Sequence, residues 1–357
     1  VVATPVIGAA DRPVHATGVT LRRRSDDGVA LLEGGGRYVQ LSDAAVTIWH
    51  WCDGLHDVDA IVGCYRERYA IDANEAIIAL LERWHDRGLI ARCAVVAGPT
   101  APAASAIPGC DVVRSGMSVY LAWRVDAWDP ALQWLAQRAF AAPALATFAA
   151  SAVSGCVTAL RAAPHVRVHG APEYVALGIA FAIAVIVHEA GHALTLVHFG
   201  GRVRRAGIGW YWCAPIAFVD TSDAHALPRA QRIGVSLAGP AASFVVAGLA
   251  ALIAVCVPDE NVRAVAWSLA IGNYAICLWN LNPLIELDGY YALADVLDRP
   301  NLRSDAFRAL RQRCPSRIEL AYAGAALTYA LVFGAFAISA IIARLATAVH
   351  LSVLLGR

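Results

Sequence analysis

The chain divides by the spacing of its apolar positions. Up to about Trp128 they are interspersed with acids and bases; beyond it come long stretches with no Asp, Glu or Arg. These are Ala139–Leu160, Ile233–Pro258, Ala264–Ile285 and Leu320–Ala343, and Tyr174–Gly201 joins them but for the single acid Glu189. A bilayer-crossing helix needs about 20 predominantly apolar residues, so the pattern predicts five membrane helices. Ala139–Leu160 is the least typical, Ala-rich and interrupted by Pro143, and a buried soluble helix is the competing reading there.

The amino-terminal part has a shorter period. Gly18–Arg24, Gly28–Glu33 and Arg37–Leu41 are strand-like runs, punctuated as hairpins by Asp26-Asp27-Gly28 and Gly34-Gly35-Gly36. Ser42 has the chemistry of an N-cap for a helix over Asp43–Cys52, Asp57 can open a second to about Tyr69, and Asp72 a third to about Arg87. Ile77, Leu80, Leu81 and Trp84 recur at the spacing of one buried helix face. The expected architecture is mainly α: a small α+β winged-helix-like domain over residues 14–92, a linker over 93–128 that includes the Ala- and Pro-containing Ala94–Pro108, and a polytopic helical membrane domain of about five spans over 129–357.

Composition agrees with a membrane chain. Hydrophobic residues make up 58% and charged residues 16%, against roughly 45–50% and 25% in ordinary soluble domains. This excludes a disordered protein and speaks against a soluble enzyme. The net charge of +1 gives no general basic field, so nucleic acid is not the expected partner. All 29 basic residues are Arg, and they are unevenly placed. Two loops hold Arg202, Arg204, Arg205, Arg229 and Arg232, and Arg299, Arg303, Arg308, Arg311, Arg313 and Arg317; the opposite loops keep only Arg161, Arg167 and Arg263. By the positive-inside rule the richer loops and the amino-terminal domain face the cytoplasm. No signal-peptide pattern precedes Arg22-Arg23-Arg24, which agrees. The expectation is a multi-pass protein of a bacterial-type inner membrane with the bilayer as a partner. The nine Cys form no CxxC pair, and Cys156, Cys256 and Cys277 in apolar runs read as small hydrophobes.

Candidate chemistry lies inside the second predicted span. His188-Glu189-Ala190-Gly191-His192 is an HExxH pattern. Four residues apart on a helix, both imidazoles can reach one Zn²⁺, with Glu189 beside them to take a proton from water. A carboxylate in a span costs about 2.5–3.5 kcal/mol on the insertion scale and is functional by default. Three residues are candidates for a third ligand: His198, Glu286 and Asp288. His198 lies about 240° round a continuing helix from His192 and would miss the metal. Pro283 breaks the fourth span, and His188 lies about 11 residues, or ~16 Å, inside the inner end of the second. Asp288 follows the inner end of the fourth span, so the two halves can meet toward the cytoplasmic leaflet. Asp220 reads as a loop-fixing acid, His165 and His169 as solvated, and Trp210, Tyr211 and Trp212 as interfacial anchors.

Two resemblances join these motifs. The order strand, strand, "RYVQLSDAAVTIWHWCDG", "DVDAIVGCYRERYAID" and "ALLERWHDRGLI" resembles the PqqD-like peptide-recognition domain over about Val14–Arg92. The resemblance implies that the leader of a ribosomally made, post-translationally modified peptide adds a strand beside Arg37, Tyr38, Val39, Gln40 and Leu41. Ile77, Leu81 and Trp84 of the third helix would lie near that groove; the counter-reading makes these three the domain's core. DNA binding is disfavoured because acids are interleaved among the bases of the third helix.

"HEAGH", together with Asn280–Gly289 read as N-x-x-P-x-x-x-x-D-G and the segment "FVDTSDAHALPRAQRIGVSLAGPAASF" between them, resembles the site-2 protease family of intramembrane zinc metallopeptidases over about Ala139–Thr347. The resemblance implies His188, His192 and Asp288 as ligands of one Zn²⁺ per chain, Glu189 as catalytic base, and Asn280 as a residue that orients substrate or stabilises the oxyanion. The expected function is hydrolysis of a peptide bond in a ribosomal precursor peptide whose leader the first domain captures. Two alternatives stay open: regulated intramembrane cleavage of a membrane-anchored signalling protein, and a non-catalytic peptide-binding or immunity protein.

Overall fold

A computed structural model of the chain describes residues 8–24, 28–34, 37–92, 110–115, 118–161, 166–211, 214–299 and 301–354. Asp26-Asp27, Gly35-Gly36, Ala94–Pro108, His165 and Trp212 lie outside these residues. Two compact units emerge, residues 1–145 with 192–235, and residues 146–191 with 236–357.

In the first unit, β1 (Pro13–His15) is followed by β2 (Thr20–Arg23), β3 (Ala30–Gly34) and β4 (Arg37–Leu41), the last three forming an antiparallel sheet in that order. Gly34 faces Arg37 and Leu32 faces Val39. α1 (Asp43–Trp51) and α2 (Val58–Tyr69) start where their caps predict: the side chain of Ser42 accepts from the N–H of Ala45, and that of Asp57 from the N–H of Ala60. α3 (Asn74–Asp86) begins later than Asp72 predicts, capped by Ala73 without a side-chain bond; Asp72 pairs instead with Arg66 at 3.4 Å. β5 (Ile90–Arg92) returns to pair with β1. Leu32, Ile48, Trp49, Ile61, Ile77, Leu81 and Trp84 form the core, with Trp49 edge-on to Trp84 at 5.6 Å. Burial, and next the charge of Asp53, push the Cys52 thiol up to about 12, so it packs as a small apolar group.

The expected linker is corrected in its second part. β6 (Cys110–Ser115) and β7 (Ser118–Arg124) are strands of a four-stranded antiparallel sheet, followed by α4 (Asp129–Ala139). The sheet is completed by β8 (Arg205–Tyr211) and β9 (Ala214–Val219), with Leu121 opposite Ile208. Leu121, Trp123, Ile208 and Trp210 are all exposed. Asp220 fixes the following turn as expected, accepting from the N–H and hydroxyl of Ser222.

The second unit is helical. α5 (Ala142–Arg161), α6 (Ala171–His198), α7 (Arg229–Cys256), α8 (Glu260–Asn280) and α11 (Arg317–Leu354) contain the five stretches long and apolar enough to cross a membrane. Leu160, Leu331 and Phe336 are 82%, 73% and 71% exposed, an arrangement suited to lipid and costly in water. The helices approach through small residues: a Cβ at Gly155 of α5 would overlap the backbone of Gly248 in α7, and one at Gly272 of α8 the ring of Phe181 in α6. Such contacts are how helices pack where lipid replaces water, and they tie α5 into the bundle. α8 stops at Asn280, shortly before Pro283, a residue common just past helix ends because it cannot continue them. α9 (Asp288–Val296) and α10 (Leu302–Arg311) pack on α11 through Tyr290, Leu302, Ala306 and Tyr322.

Candidate metal centre

α6 runs unbroken through the HExxH motif. His188 and His192 stand one turn apart, about 6 Å along the axis and 40° round it, and both are buried. α7 orients each ring. His192 Nδ1 donates to the carbonyl of Val235 at 2.7 Å, and His188 Nδ1 lies 2.9 Å from the hydroxyl of Ser243. A carbonyl only accepts, so His192 Nε2 is left with its lone pair; Ser243 does the same for His188 when its hydroxyl accepts. Oxygen partners on the remote ring nitrogen are the usual outer support of metal-binding imidazoles.

The helices carrying these groups touch at Gly191, where a Cβ would stand 2.6 Å from the carbonyl oxygen of Ala238 and 3.0 Å from Ala242 Cβ. Gly191→Ala is therefore expected to force α6 from α7 and cost about 1–3 kcal/mol despite alanine's better helix propensity. Thermal unfolding in detergent measures this, and an unchanged midpoint would show that the contact yields freely.

Asp288 is the first residue of α9, where a carboxylate is favoured by the helix dipole. Gly289 is required beside it, because a Cβ there would overlap the backbone of Leu281 just past α8. Asp288 Oδ2 lies 3.2 Å from His188 Nε2, and one donor atom from each of His188, His192 and Asp288 lies within 4.8 Å of the others. Two ligands about 2.1 Å from a tetrahedral zinc are roughly 3.4 Å apart, close to the 3.2 Å between Asp288 Oδ2 and His188 Nε2. Among the described residues these are the three that converge in this way. Two imidazoles and one carboxylate form a three-ligand set of the kind that leaves a fourth position for water or substrate.

The other candidates fall elsewhere. His198 closes α6 and stacks on Phe140 at 4.0 Å. Glu286 is exposed in the turn before α9. Glu189, half-buried, follows His188 by about 100° of helix and is outside the three-donor group. Asn280 is the half-buried last residue of α8. Ile77, Leu81 and Trp84 are at most 2% exposed, which fits the counter-reading that their three- and four-residue spacing serves the core. Arg37–Leu41 form β4, an edge strand paired with β3. Its surroundings include the 3-10 turn Ser222–Ala226, which lies beside it. Val235 and Ser243 escaped the sequence reading; the signal available was a lone hydroxyl in a charge-free helix.

Residues 27–90 match the family described as coenzyme PQQ synthesis protein D (PqqD), and residues 176–260 match Peptidase family M50. The second match contains His188, Glu189 and His192 but ends before Asp288. The chain is 25% identical over 126 residues to the Bacillus subtilis (strain 168) protein named "Putative peptide zinc metalloprotease protein YydH", a match covering 35% of this chain and 49% of that protein. The match thus spans about half the length of this curated relative. No solved structure matches. The chain joins a PqqD-like region to a Peptidase M50-like membrane region, as the two resemblances implied.

Proposed function

We propose that this chain is a zinc endopeptidase of the site-2 type, set in a bacterial inner membrane, that cleaves a ribosomally made precursor peptide whose leader is held by the cytoplasmic amino-terminal domain. The convergence of His188, His192 and Asp288 in a chain that also carries a PqqD match supports this reading. His188, His192 and Asp288 would hold the ion, which when bound supplies Lewis acidity, lowering the pKa of water and polarising a carbonyl.

The chain's own groups do the rest. The carbonyl of Val235 keeps His192 Nε2 aimed with its lone pair outward, and Ser243 does the same for His188 when its hydroxyl accepts. Glu189, outside the three-donor group, takes a proton from the attacking water and returns it to the leaving amine. Asn280 donates its amide N–H to the substrate carbonyl oxygen as negative charge develops there. Leader capture raises the local concentration of the scissile segment, so weak leader binding suffices.

The test uses purified full-length protein in detergent with zinc and the short peptides encoded beside its gene. Mass spectrometry should find one of them cut at a defined bond; intact peptides with zinc-loaded protein would overturn the assignment. Strand addition at β4 is tested by Val39→Pro and Gln40→Pro. Successive N–H groups of a strand point to opposite edges, so one of these removes an outward donor and the other a donor facing β3. The outward change should weaken leader binding about 5–10-fold, the worth of one hydrogen bond. Undiminished affinity in both folded variants would eliminate this docking mode.

A further inference from the structure

The ligand Asp288 does not follow directly on α8. It is reached through residues 281–287, which contain no helix or strand, so the chain alone does not dictate where α9 begins. Leu284, four residues before the ligand, is held from both sides. Its N–H donates to Asn282 Oδ1 at 2.9 Å, and its carbonyl accepts from Arg303 Nη1 at 2.7 Å. Arg303 belongs to α10, and its own N–H donates to the hydroxyl of Tyr290 at 3.1 Å, two residues beyond Asp288. One residue of α10 thus grips the chain on both sides of the third ligand. Its guanidinium carbon also lies 5.6 Å from the centre of the Phe307 ring, which restrains the side chain.

We propose that Arg303 is a positioning residue for the metal centre, fixing Asp288 against His188 by clamping Leu284 and Tyr290. This rests on the zinc reading given above. Charge-assisted bonds from a planar guanidinium are shorter and stronger than neutral ones, and the turn's other bonds, such as those from Asn282 N–H to the carbonyl of Trp279 and from Leu287 N–H to that of Ile285, are neutral backbone ones. Of the two hydrogen bonds, the one to Tyr290 comes from the backbone and survives substitution; the variants remove the one to Leu284 together with the guanidinium's approach to Phe307 and Tyr322, so the cobalt spectrum, which reports the ligands themselves, is the deciding readout.

The experiment compares full-length wild type, Arg303→Met, Arg303→Gln and Arg303→Lys in detergent. Zinc affinity is measured by chelator competition, and the visible spectrum after cobalt substitution reports the ligand geometry. Arg303→Met and Arg303→Gln should each bind zinc about 10–100-fold more weakly, the usual effect of removing outer support, and shift the cobalt bands. Arg303→Lys, which can still donate to one carbonyl, should recover most of the affinity. General destabilisation would lower the unfolding temperature of the metal-free protein without moving the cobalt bands of the folded fraction. Either neutral variant, folded and with wild-type affinity and spectrum, would overturn the proposal while the zinc reading stands. Wild type that binds no zinc would overturn both.

Discussion

Glu189→Gln is expected to keep the metal and lose peptide cleavage by about 10²–10⁴-fold, the range for removing a general acid–base group. The substitution is nearly isosteric and leaves α6 in place, and Glu189 is outside the group formed by His188, His192 and Asp288. Zinc content should therefore stay near one per chain while turnover falls. Binding of the peptide, measured separately, should change little, since the glutamine still occupies the same volume. Cleavage near the wild-type rate would remove Glu189 from the role of base; loss of zinc together with turnover would make it a ligand instead.

Asp288→Ala is expected to abolish stable zinc binding, with affinity falling by more than the ~10–100-fold typical of outer-shell changes. The carboxylate is 3.2 Å from His188 Nε2, and its removal leaves two imidazoles on one helix, too few for a tight site. Glu286→Ala is the matched control. Both acids stand within three residues, but Glu286 is exposed and outside the donor group. Elemental analysis after dialysis should find zinc in the Glu286 variant and none in the Asp288 variant. The reverse pattern would move the third ligand to Glu286.

These two acids mark where sequence reading stops being local. HExxH is legible because an i,i+4 pair shares a face on any helix. Choosing among His198, Glu286 and Asp288 from residue chemistry alone is harder, since the answer depends on how α9 returns to α6. The family resemblance pointed to Asp288, and in the structure its carboxylate lies 3.2 Å from His188 Nε2. The same distinction runs through the fold. Ser42 and Asp57 announce α1 and α2 because a cap bonds only three residues ahead. Asp72 misleads: α3 opens at Asn74 without a side-chain cap, and the Asp72 carboxylate lies beside Arg66. The five apolar stretches are visible because lipid demands length. β7 and β8 are not, since Leu121 finds Ile208 across a large gap in sequence and neither strand advertises the other. Ser243 is silent for a similar reason: only its position opposite His188 separates it from any hydroxyl in an apolar helix.

The turn Ser222–Ala226 lies beside β4 and continues through Leu227 and Pro228 into α7, the helix that holds His192 through Val235. Under strand addition at β4, peptide and turn share one side of the sheet. Linkage then runs in both directions: whatever factor the turn's resting position takes from peptide affinity, bound peptide takes from the stability of that position. The reciprocity extends to the ion if α7 moves with the turn, so zinc would alter the dissociation constant of the leader by the same ratio as the leader alters that of zinc. If the resting position of the turn is the one that keeps Val235 against His192, the coupling is negative, and peptide and ion each loosen the other.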